Sequence, residues 1–89
     1  MTDPLLDPQA EYEAVTAALQ RVHDAQDPAA LTTLHEAIVH ATAIWHRCEP
    51  LRTKREKEFR YQVVKLKLLL AGAHQTLEAL EGAHLPKAA

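Results

Sequence analysis

The sequence predicts an all-α protein of three helices. The first two form an antiparallel hairpin and the third is a long coiled-coil-like helix, the whole making an oligomeric helical bundle. Three observations carry that expectation. Residues 59–80 hold an unbroken stripe of Phe59, Val63, Leu66, Leu70, Ala73, Leu77 and Leu80. Its steps alternate four and three, which places all of them on one helical seam. The same start signal, Asp-Pro, occurs at Asp7-Pro8 and again at Asp27-Pro28. Finally, Ala, Leu, Glu, Gln, Lys and Arg dominate the composition, with only two glycines in 89 residues.

The first helix is expected from about residue 8 to residue 25. Asp7 is its N-cap, because a carboxylate there accepts from N–H groups that a helix start leaves unpaired. Pro8 suits the first helical position, where its missing N–H is no loss. The apolar seam is Tyr12, Val15, Leu19 and Val22, and Leu5 and Leu6 are expected to fold back over the helix start.

The second helix is expected from about 28 to 48, with Asp27 as N-cap. Its seam is Leu31, Leu34, Ile38, Ala41, Trp45 and Cys48, widened by Ile44. Only a few residues separate it from the first helix, so the two should pack as an antiparallel hairpin.

The third helix is expected from about Leu51 to Glu81. Pro50 removes a donor and disfavours helical geometry at Glu49. Two outcomes remain open there. A tight turn would place Phe59 opposite Ala41, whereas a kinked continuous helix would leave the third seam uncovered. Residues 52–60 are strong helix formers and are expected to be helical, with Glu56 and Arg60 paired four apart. Gly82 is the expected C′ residue, Pro86 a stop beyond it, and residues 83–89 a frayed tail. The chain 1–89 is expected to be a single helical domain.

The third helix spans about 45 Å and exceeds the second by about ten residues. Leu77 and Leu80 would overhang, so part of the stripe needs another surface, and a second copy supplies it most simply. Phe59, Val63, Leu66, Leu70, Ala73, Leu77 and Leu80 are therefore the expected oligomer interface, most simply of a homodimer. Ala71-Gly72-Ala73 would permit close helix approach. A chain of 89 residues is also short for a single core, which oligomerisation would assist.

Charge is unevenly spread about a net −2. Residues 1–46 hold seven carboxylates against Arg21, residues 47–67 eight cations against three carboxylates, and residues 68–89 Glu78 and Glu81 against Lys87. Arg52, Lys54, Arg55, Arg60 and Lys67 are the expected contacts if the basic stretch grips nucleic-acid phosphates. Against that, Glu56 and Glu58 interrupt the run and the total is acidic. A solvated face, or pairing with the acidic first helix of a neighbouring copy, competes with it.

Metal chemistry is not expected. His35 and His40 are five apart, about 140° from each other on a helix, where zinc ligands four apart would share a face. Glu36 and His40 do share a face, as do His23 and Asp27, but no pair of Glu and His three apart recurs as di-iron bundles require. Cys48 is the sole cysteine and lies on a seam, so it reads as a small buried hydrophobe in a reducing compartment, the cytoplasm. Tyr61 lies off the stripe and is expected to be exposed. The sequence shows no phosphate-cradling glycine loop, no hydrolase elbow and no paired carboxylates, so no cofactor and no catalysis are expected. The first residues lack a basic and an apolar region, so no secretory signal is expected. No apolar run approaches the ~20 residues of a membrane span. The functional expectation is a non-catalytic homo-oligomeric interaction or scaffold module binding itself and another protein. The alternative is a small nucleic-acid-binding or regulatory protein using residues 52–67.

Overall fold

A computed structural model describes residues 6–25 and 27–84. Three α-helices follow in order: α1 (Pro8–Ala25), α2 (Pro28–Cys48) and α3 (Lys57–His84), with a 3-10 segment at Glu49–Lys54 between the last two. Both Asp-Pro signals act as the sequence implies. Asp7 Oδ1 accepts from the Ala10 N–H at 3.0 Å, and Asp27 Oδ1 from the Ala30 N–H at 2.7 Å. Asp27 is extended (φ −94°, ψ 166°), the geometry that lets a side chain turn back onto its own helix.

Each helix packs on the other two. The larger apolar cluster joins Val15, Ala18 and Val22 of α1 with Leu34, Ile38 and Ala41 of α2 and Leu66, Leu70, Ala73 and Leu77 of α3. A smaller cluster of Ile44, Cys48, Phe59 and Val63 closes the end where α2 turns towards α3, covered by Leu6 and Leu51. Trp45 packs against both. No polar or charged residue is buried among the described residues. Leu6 thus folds onto the core as expected, while Leu5, Pro86 and residues 85–89 of the expected tail lie outside the described residues.

At Pro50 the chain turns instead of kinking. Glu49–Lys54 is 3-10, Arg55 is extended (φ −116°, ψ 172°), and α3 starts at Lys57, not near residue 51. Propensity loses here because reversing the chain over a few residues needs a tight helix and an extended step. Leu51 anchors the turn on the smaller cluster, and the Arg55 guanidinium stacks 4.2 Å from the centroid of the Phe59 ring. Phe59 consequently packs with Ile44 and Cys48, not opposite Ala41, which shares its cluster with Leu66 and Leu70. At the other end α3 runs through Gly82 to His84, so Gly82 is inside the helix rather than its C′ residue, and Ala83 and His84 are helical rather than tail.

The expected interface needs correction too. Phe59, Val63, Leu66, Leu70, Ala73 and Leu77 are at most 5% exposed in the single chain, and Leu80 is partly buried. Both α2 and α1 cover α3: α1 lies along it, as the Lys65 ammonium shows by donating to Gln9 Oε1 at 3.2 Å. The seam is this chain's own core.

Candidate interaction surface

The opposite face of α3 is where apolar surface meets solvent. Four large hydrophobic residues are exposed among the described residues: Val39 at 56%, Tyr61 at 65%, Val64 at 42% and Leu68 at 68%. Val39 stands alone on α2, which is ordinary. The other three are spaced three and four along α3, so they line up on one side of it. Ala71, Gly72, Gln75 and Ala79 continue the line and are also exposed. From Tyr61 to Ala79 this stripe carries no formal charge. α3 therefore bears two apolar stripes, one packed inward and one facing out. Tyr61 is exposed, as its place off the seam implies, and Val64 and Leu68, which the sequence analysis does not single out as exposed, share its side of α3. Their spacing was the available signal.

Two details define this face. Lys65 Nζ sits 4.4 Å from the centroid of the Tyr12 ring and 5.4 Å from that of Tyr61, which ties Tyr61 back towards α1. A Cβ added at Gly72 would meet nothing within 4 Å. Packing within the chain thus has no need of glycine there, although a mid-helix glycine costs ~1 kcal/mol relative to alanine.

The five expected phosphate contacts are divided between the turn and α3. Arg52 Nε lies 3.2 Å from Glu49 Oε1, an ion pair by distance whose angles do not make a hydrogen bond. Arg55 is engaged by Phe59 and by Glu56 Oε2 at 3.4 Å. Glu56 therefore pairs with its neighbour rather than with the Arg60 side chain, whose backbone N–H donates to the Glu56 carbonyl. A hydrogen bond from its own backbone, then the Arg55 side chain, hold the Glu56 carboxyl below its ordinary range. Lys54 is exposed on the turn, and Arg60 and Lys67 are exposed on α3 beside the outer stripe.

His40 does not use Glu36, its neighbour on the helix. Its Nδ1 lies 2.6 Å from Glu11 Oε1, joining α2 to α1. The pair borders a groove of about 450 Å³ with Asp7, Ile44 and Arg47. A smaller groove of about 160 Å³ between α2 and α3 is lined by Thr42, Trp45, Lys67, Leu70 and His74. Thr42 Oγ1 and Trp45 Nε1 are buried without a hydrogen-bond partner among the described residues. The larger groove is lined by no hydroxyl or thiol, and the smaller holds the Thr42 hydroxyl and the His74 ring with no hydrogen bond between them. No group of three or more His, Cys, Asp or Glu stands together for a metal ion among the described residues. Cys48 is fully buried, and burial pushes its thiol above the ordinary 9.0, partly opposed by Arg55 and Arg47. No helix among the described residues is long and apolar enough to cross a membrane. The chain matches no protein-family model, no curated protein and no solved structure.

Proposed function

We propose that this chain is a non-catalytic helical interaction or scaffold module, working in the reducing cytoplasm, whose working surface is the outer face of α3. One observation carries the reading: Leu68, 68% exposed, stands in register with exposed Tyr61 and Val64 on a helix whose other side is fully packed. A contiguous apolar stripe on a small bundle marks an association surface. Covering a large apolar side chain fully contributes ~1.5–3 kcal/mol, so three aligned side chains are a substantial drive. The grooves add support, since the one hydroxyl lining them, Thr42 Oγ1, is hydrogen-bonded to no base.

The test is substitution on a surface that the fold does not use. Leu68→Asp leaves the circular dichroism and the melting curve of the dilute monomer unchanged and abolishes complex formation, read as the sedimentation rate of tagged protein in native cell extract. Identical sedimentation of wild type and variant as small monomers would remove the reading.

The second reading, a small nucleic-acid-binding or regulatory protein, draws on exposed Lys54, Arg60 and Lys67 with Tyr61 available for stacking. Arg52 and Arg55 contribute less, being held by carboxylates. Three phosphate contacts imply a salt slope of only about −3, so retention at low salt and release with that slope identifies this alternative.

A further inference from the structure

We infer that the occupant of the α3 outer face is a second copy of this chain, docked antiparallel, α3 against α3. The inference rests on the reading of that face as an association surface and adds which partner fits it. Two gradients along α3 carry it, one of size and one of charge.

The size gradient is in the stripe itself. Its first half is large: Tyr61, Val64 and Leu68. Its second half is small: Ala71, Gly72, Gln75 and Ala79. Two copies laid parallel would set Tyr61 against Tyr61 and leave Ala71 and Gly72 facing each other across a gap. Two copies laid antiparallel, with the twofold axis near Leu68, set each large half against the other's small half. Val64 then meets Ala71 and Gln75 of the second copy, and Tyr61 lies over Gln75 and Ala79. Leu68 packs beside its own symmetry mate and Gly72. Gly72 gains a reason in this arrangement, because the space beside it, open in the single chain, is where the second helix comes close.

Charge follows the same division. The first half of α3 carries Lys57, Arg60, Lys65 and Lys67 against Glu58, and the second half carries Glu78 and Glu81 with no lysine or arginine. Parallel copies would oppose like charges. Antiparallel copies oppose the basic half with the acidic half. Arg60 and Glu78 are 18 residues apart, about five turns, so they lie on the same flank of the stripe. A twofold axis perpendicular to the two helices brings matching flanks together, which places Arg60 of each copy beside Glu78 of the other. A surface self-complementary in both shape and charge is what an isologous interface requires.

The experiment has two parts. Sedimentation at micromolar concentration reads a concentration-dependent dimer for wild type and a monomer for Leu68→Asp. Arg60→Glu alone weakens the dimer by ~10-fold, since two attractive pairs become repulsive. The double variant Arg60→Glu/Glu78→Arg recovers to within ~3-fold of wild type. A wild-type monomer, or a double variant no better than the single, overturns the inference. In the second part, a photo-crosslinking residue replaces Val64 in the full chain in native cells. Attachment to residues 71–75 of a second copy supports the antiparallel dimer. Attachment to residues 61–68 of a second copy overturns the antiparallel arrangement. Attachment only to other proteins overturns the second copy while leaving the association surface standing. No adduct at all, beside a Leu68→Asp variant that sediments like wild type, removes both.

Discussion

Asp27 shows how far single residues could be read in advance and where that reading stops. An Asp before a Pro, before an apolar seam, is a local signal, and the 2.7 Å bond to the Ala30 N–H is local too. Asp27→Ala should therefore cost ~1 kcal/mol, measured by chemical denaturation, with little change at the far ends of α1 and α3. His40 is the opposite case. The sequence offered Glu36, four residues away, whereas the structure supplies Glu11 from another helix. No helical periodicity reveals a contact between residues 29 apart. Cys48 was legible as a seam residue, and burial gives it a pH signature. Its thiol is held above the ordinary 9.0 in the folded chain, so the folded state binds this proton more tightly than the unfolded one. The stabilisation is complete below that ordinary value and is lost as pH rises through the raised one. Wild type should thus lose stability relative to Cys48→Ala as pH rises above about 9, read from paired melts, with the difference between them flat at neutral pH.

At the scale of elements, α1 and α2 were legible to the residue because cap, seam and stop agree. The segment at residues 49–56 was not. Its composition favours α-helix, but the chain must reverse there, and the reversal is decided by the burial of Leu51 and Phe59 rather than by local preference. On α3 the strongest periodic signal was real but its partner was misassigned, since α1 covers what a second copy was expected to cover. The adjacent outer stripe was weaker in sequence because its second half is small and polar. The two stripes separate cleanly by mutation. Leu66→Ala, at a fully buried position, should cost ~2–5 kcal/mol in a denaturant titration. Leu68→Ala, two residues on, should stay within about 0.5 kcal/mol in dilute monomer, where its side chain touches mostly water. Similar losses at both positions under dilute conditions would show that the outer stripe is packed within the chain after all.

For the molecule as a whole, the fold class followed from composition and period alone. The docking of three helices on one another did not, because a seam says that a helix has a partner without saying which. The candidate surface inherits that ambiguity: its residues are plain in the sequence, but only the placement of α1 and α2 shows which stripe remains outside. The described core also has two parts, a large cluster along the bundle and a small one at the α2–α3 turn. The chain's only tryptophan, Trp45, touches both parts, and its indole meets the His46 ring edge-on at a centroid distance of 5.1 Å. This placement equips the protein with a built-in optical reporter. Emission from Trp45 senses the loss of either cluster, whereas far-ultraviolet dichroism follows the helices as a whole. In a cooperative molecule the two signals fall together through a urea titration. If the turn end loosens first, the indole reddens before the helices melt.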